Sequence, residues 1–201
     1  MRRLLAPFRQ TTGLARWLLV IGLAIVALFL VLAVFAPWIA PYGFAQVELD
    51  GVRFPKQSPP SPEHWLGVND QFFDIFSRVV WGARTALTVV LLSVLLSLII
   101  GVVLGLVSGY VGGWIDRVLV FTMDAMYAFP SLLLAIVFSF LLGGLLGSGI
   151  MSAALSLTVI YIPQYYRVVR NTTVSAREAT YVEAARAFGA PNRTIMGRYL
   201  F

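Results

Sequence analysis

The side chains able to do chemistry in this chain are few. There is no cysteine, so no thiol nucleophile, thiolate metal site or disulfide framework can form. One histidine, His64, cannot build a histidine-based metal site, and neither a metal nor a cofactor is expected. The one lysine, Lys56, follows Pro55, so no Gly-Lys-Ser/Thr phosphate loop exists and ATP cannot be bound in that way. No nucleophile–base pair can be assembled, and the chain is not expected to be an enzyme. His64 lies in a proline-rich stretch and reads as a surface residue without chemistry. Asp116, Arg117 and Asp124 form one cluster of ionisable residues at the edge of an apolar run, a place where charge marks a functional candidate. Asp124 lies within about two turns of the boundary, so pairing with Arg117 or solvation is the expected outcome.

Two spacings speak of helix contact. Ser93, Ser97, Gly101, Gly105 and Gly109 recur every fourth residue, which keeps them on one helix face where a second backbone can approach closely. Ordinary packing explains that stripe; a sliding seam in a moving protein is the functional alternative. Near the end of the chain, Ser175 with Glu178 and Thr180 with Glu183 each fit the capping box. Gly189 is placed to end a helix, and Pro191 to stop it or open another. These signals predict a short helix over Tyr181–Phe188 with Val182, Ala185 and Phe188 on one side. Such a helix is unstable alone, since about 12–15 residues are needed. It must rest on the membrane interface, on the inner ends of its own spans, or in a groove on a partner.

The elements that hold these residues are membrane helices. Of 201 residues, 59% are hydrophobic and 12% charged, which excludes a water-soluble globule. The mean hydropathy of +0.85 agrees. A crossing helix needs roughly 20 apolar residues. Trp17 to Ala36 supplies one between the interfacial anchors Trp17 and Trp38, and it is too long for a signal peptide. Ala86 to Leu106 gives a second span. The uncharged run between Asp124 and Arg167 is predicted to divide into Met123–Leu142 and Ile150–Arg167, joined by a tight turn at Gly143, Gly144, Gly147 and Gly149. Pro130 and Pro163 fall inside these two as tolerated kinks.

Arg2, Arg3, Arg9, Arg16, Arg117, Arg167, Arg170, Arg177, Arg186, Arg193 and Arg198 fall on one side of those four spans. Arg53, Lys56, Arg78 and Arg84 fall on the other, offset by Glu48, Asp50, Glu63, Asp70 and Asp74. The positive-inside rule then puts both termini in the cytoplasm. The net charge of +6 is read as span-flanking arginine, not nucleic-acid binding. Pro37, Pro41, Pro55, Pro59, Pro60 and Pro62 make residues 37–84 an irregular external loop.

Glu183-Ala184-Ala185 followed by Gly189 resembles the EAA signature of ABC-importer permeases. His64-Trp65-Leu66-Gly67, Asp74-Ile75-Phe76-Ser77-Arg78, Gly82-Ala83-Arg84, the run Gly109–Arg117 and the run Phe129–Ile136 resemble, in order, the dipeptide/oligopeptide/nickel permease family. Val68-Asn69 and Phe72-Phe73 stand where that family usually reads Thr-Asp and Gly-Arg. The resemblance implies an all-α integral membrane protein: four spans of a six-span type I importer permease plus a cytoplasmic EAA coupling helix. It divides the chain into an N-terminal arm and first span (1–36), an external loop (37–84), core spans (85–169) and a coupling segment (170–201).

By the same resemblance Glu183 would be a polar contact, Ala184 and Ala185 a close-packing surface and Gly189 a turn, all docking on a nucleotide-binding subunit. The implied partners are those ATPase subunits, a second permease subunit, an extracytoplasmic solute-binding protein and the bacterial inner-membrane bilayer. The implied activity is ATP-coupled import of peptides or related small solutes. Family members continue through a proline into two more spans, so the coupling segment is expected to be incomplete at Phe201. A truncated or split-gene fragment is therefore one alternative; an ion-coupled secondary transporter is another.

Overall fold

A computed structural model of the chain describes residues 13–147 and 149–198. Arg2, Arg3 and Arg9 of the charge argument, and Phe201, lie outside the described residues. The described part consists mainly of helices and divides into two compact units, 1–88 and 89–201.

The first unit opens with helix α1, Leu14–Ile39. Its 26 residues span about 39 Å at 1.5 Å each, more than a hydrocarbon core of about 30 Å. Its buried residues are Ala33 and Ala36, while Leu18, Ile21, Phe29 and Val34 are exposed. An apolar helix bare on nearly every side is one solvated by lipid.

The loop after α1 is more ordered than its prolines suggest. Strands β1 (Glu48–Leu49) and β2 (Val52–Arg53) pair antiparallel as a hairpin. Asp50 and Gly51 turn it, both with positive φ (51° and 77°). Asp-Gly is the dipeptide that suits a two-residue hairpin, so this signal was present in the sequence. Further along, Asn69 Oδ1 accepts the backbone N–H of Gln71 and of Phe73, each at 2.9 Å. Gly67 adopts φ +78°, and a Cβ there would collide with the Ser58 carbonyl. The expected irregular loop is thus a small folded cap.

His64 overturns its surface reading. It is 4% exposed, and its Nδ1 lies 2.9 Å from Asp74 Oδ1. The Tyr42 and Phe54 rings pack against the imidazole at 5.1 and 4.8 Å. Asp74 is 2% exposed, and its other oxygen accepts the Ser77 N–H at 2.7 Å. That bond caps the first turn of helix α2, Ile75–Val111. Ser77 Oγ accepts the Tyr42 N–H, and Trp81 Nε1 donates to the Tyr42 carbonyl. Burial pushes the Tyr42 hydroxyl above its ordinary pKa, and the Asp74 and Glu63 charges add to it. Phe72 and Phe73, at the positions departing from the family pattern, lie under the guanidinium groups of Arg53 and Arg78 at 4.1 and 4.5 Å.

Helix α2 is 37 residues long, starting eleven residues before the expected span. In the second unit it is followed by α3 (Gly113–Ala128), α4 (Ser131–Leu146), α5 (Ile150–Ala176), α6 (Thr180–Ala187) and α7 (Asn192–Arg198). Consecutive positive φ at Gly112 and Gly113 break α2 from α3.

The expected third span, Met123–Leu142, is not one straight helix. Helices α3 and α4 meet at 99°. Pro130 offers no N–H and forces Phe129 into extended backbone (φ −83°, ψ 139°), so the helix ends there instead of kinking. The glycine turn is also shorter than expected. Gly143 and Gly144 lie within α4, and the break comes at Gly147, with φ 80°.

Two described helices, α1 and α2, are long and apolar enough to cross a membrane; the bent α3–α4 pair makes three if taken as one span. Helix α5 does not join them, because hydroxyls, Pro163, Gln164 and Arg167 dilute its apolar content. Length and hydropathy therefore support two or three of the four expected crossings.

Candidate functional site

The second unit gathers its polar side chains at the end of α2. Gly101, Gly105 and Gly109 bring α2 against α5. A Cβ at Gly101 would lie 2.6 Å from Tyr165 Cβ, one at Gly105 2.8 Å from the Tyr166 carbonyl oxygen, and one at Gly109 2.8 Å from Thr173 Cβ. Ser93 and Ser97 are buried on the same stripe, and Ser97 Oγ donates to the Ser93 carbonyl at 2.6 Å. Hydroxyls satisfied within their own helix let two backbones meet without stranding a polar group.

Beyond the stripe, Ser108 Oγ donates to Asp116 Oδ1 at 2.5 Å and shares a 2.7 Å bond with the Tyr166 hydroxyl. Arg170 grips both Asp116 oxygens, Nε at 2.6 Å and Nη2 at 2.7 Å. This two-pronged geometry is the strong form of a charge-assisted pair. It ties the start of α3 to α5 through the last turn of α2. Arg177 Nη1 donates to the Gly109 carbonyl at 3.0 Å, holding the end of α5 to the same place.

The expected charge pairing differs. Asp124 pairs with Arg167 at 2.9 Å, not with Arg117, because α5 runs alongside α3 and presents Arg167 there. Both partners are more than half exposed, so the pair contributes little in water. Arg167 also lies 4.5 Å over the Tyr127 ring.

The predicted short helix is α6, Thr180–Ala187. Its start is not capped as expected. Ala179 occupies the N-cap without a side-chain bond, Thr180 is already helical, and Ser175 lies inside α5. Helix α5 takes in Ser175 before it ends at Ala176, and α6 begins on Thr180 itself, so neither hydroxyl sits at a cap. Gly189 adopts φ +77°, the left-handed turn that ends a helix. Pro191 accepts the first bonds of α7, from the Thr194 and Ile195 N–H groups.

Of the expected inward face, Val182 (0%) and Ala185 (7%) are buried, but Phe188 is 92% exposed. Phe188 has left the helix, with φ −81° and ψ 8°, and points away. Glu183 and Ala184 are exposed; Ala185 is turned toward the chain itself. Val182 packs with Tyr110 of α2 and Ile195 of α7, flanked by Ala190 and Met196. The Tyr110 hydroxyl donates to Asn192 Oδ1 at 2.7 Å, and Arg186 lies 5.2 Å over its ring. Tyr110 and Asn192 were not singled out in the sequence; their 82-residue separation hides the contact.

Residues 101–201, the stretch holding this site, match the family model described as the inner membrane component of binding-protein-dependent transport systems. The chain belongs to that family. Residues 14–60 of this inner-membrane component match a second model, the N-terminal transmembrane domain of oligopeptide transport permease C. The glutathione transport system permease protein GsiD of Shigella flexneri is 40% identical over 176 residues, 87% of this chain and 55% of the relative. GsiD of Escherichia coli is 38% identical over the same shares. The dipeptide transport system permease protein DppC of Alkalihalophilus pseudofirmus is 37% identical over 206 residues, 97% of this chain and 64% of the relative. The chain thus spans between about half and two thirds of the length of these relatives.

Proposed function

We propose that this chain is permease machinery of an ABC importer for peptides or related small solutes, with ATP hydrolysed by a partner subunit. The observation that carries the reading is the family match over residues 101–201, joined to a short helix that turns one face outward. The glutathione and dipeptide permeases among its relatives favour a small peptide-like cargo. Translocation would follow alternating access, the outward and inward states being selected by ATP-driven closure of the partner.

In this reading α1, α2, the bent pair α3–α4, and α5 make four crossings, with both termini in the cytoplasm. Helix α5 is long enough, at 27 residues, and its Ser156 and Thr158 hydroxyls bond back to their own helix, as apolar surroundings require. The cap over residues 40–74 faces outward, toward a solute-binding protein, and a second permease subunit completes the pathway.

Helix α6 docks on the nucleotide-binding subunit. Its contact face consists of Glu183, Ala184 and the exposed Phe188, while Gly189 makes the turn into α7. Ala185, buried on the other side, packs α6 to its own chain instead of to the partner. Single cysteines at Ala184, Phe188 and Ala185, in the complete complex, test this. Crosslinks to the ATPase subunit are expected from the first two and not the third. A complex that co-purifies yet forms no adduct at Ala184 or Phe188 would remove the docking claim.

A further inference from the structure

The surface that holds α6 and α7 in place is a specific one. Helix α6 has eight residues and α7 seven, each too short to persist on its own. Both pack against Tyr110 of α2. Tyr110 is 8% exposed; its ring meets Val182 of α6 and Ile195 of α7, each fully buried. Its hydroxyl holds Asn192, the first residue of α7, at 2.7 Å, and Arg186 of α6 covers the ring.

The two residues before Tyr110 are held as firmly. The Gly109 carbonyl takes Arg177, and the absent Cβ lets Thr173 and the Arg170 carbonyl approach. Ser108 joins the Asp116 and Tyr166 bonds. Three consecutive residues of α2 are therefore gripped by α3, α5, α6 and α7. A displacement of α6 and α7 therefore reaches α2 at these residues.

We propose that Tyr110 is a positioning residue that transmits movement of the α6–α7 pair to the seam between α2 and α5. The inference rests on the importer reading for its functional consequence, and on geometry alone for the seat. Tyr110→Phe removes the hydroxyl while keeping the ring, so packing with Val182 and Ile195 survives. Asn192→Leu removes the acceptor.

In the complete importer, reconstituted with its ATPase subunits and binding protein, uptake and ATP hydrolysis are measured together. Each variant should keep its ATPase subunit and hydrolyse ATP, yet lower uptake per ATP roughly fivefold, the scale of one net hydrogen bond. The double variant should lose no more than either single one. An unchanged uptake-to-hydrolysis ratio in Tyr110→Phe, or losses that multiply in the double variant, would overturn the proposal.

A second readout does not depend on transport. A nitroxide at a cysteine replacing Phe188, in the membrane-reconstituted chain, should become more mobile when Tyr110→Phe is added; unchanged mobility would overturn the seat. If the wild-type complex shows no ATP-driven uptake, it is the importer reading that fails, and the nitroxide result alone decides the seat.

Discussion

The buried histidine shows how much one residue can depend on a partner ten positions away. His64 and Asp74 satisfy each other inside an aromatic cage of Tyr42 and Phe54, and Asp74 also caps α2 through Ser77. Removing the carboxylate costs both bonds. Asp74→Ala should lower stability by about 2 kcal/mol or more, one part from the lost cap and one from the imidazole left unpaired. Asp74→Asn, whose one oxygen can keep the Ser77 cap while its Nδ2–H donates to Nδ1 of the other His64 tautomer, should lose less. Thermal unfolding of the purified protein in detergent checks the order; equal losses would mean that both bonds need the carboxylate and that the retained amide contributes nothing. The histidine looked inert in the sequence because burial is a property of the cap, not of the dipeptides around it.

At the scale of elements, the stripe on α2 makes a sharper statement than small-residue spacing alone. At Gly105 a Cβ would lie 2.8 Å from a backbone oxygen of α5, and backbone cannot step aside as a side chain can. Gly105→Ala should therefore destabilise by about 1–3 kcal/mol through overpacking. Gly82 and Gly143 are also helical, yet nothing lies within 4 Å of the Cβ that each would gain. Alanine at either should be neutral or stabilise by up to about 1 kcal/mol, as expected for glycine in a helix interior. A matched series of melting temperatures distinguishes these sites, and a loss at Gly82 as large as that at Gly105 would refute the seam. The spacing was legible in the sequence; the partner helix was not, because four-residue periodicity defines a face without saying what covers it. The bend at Pro130 escaped notice for a related reason. Proline inside an apolar run is compatible with a kink or a full stop, and only the extended Phe129 backbone decides for the stop.

For the whole molecule, the arrangement across the bilayer remains the largest step from sequence to function, and the absence of native cysteine makes it easy to measure. Cysteine replacing Asp50, at the tip of the β1–β2 hairpin, should react with a membrane-impermeant maleimide in intact cells. Cysteine replacing Arg193, in α7, should react only after the membrane is opened. The reverse pattern would invert the topology and place α6 on the side without ATP, ending the coupling reading.

Composition and local pattern by themselves determined that this is an apolar helical membrane protein with a short helix before Gly189. Both properties are local: apolar length fixes what can lie in lipid, and a glycine with positive φ ends a helix wherever it occurs. Tertiary structure decided the rest. It buried His64, joined Asp116 to Arg170 and Asp124 to Arg167, turned Ala185 inward and Phe188 outward, and seated both short helices on Tyr110. Each of those outcomes depends on residues brought together from distant parts of the chain. Side-chain partnership is set by the packing of helices against one another, and no window of neighbouring residues contains that information.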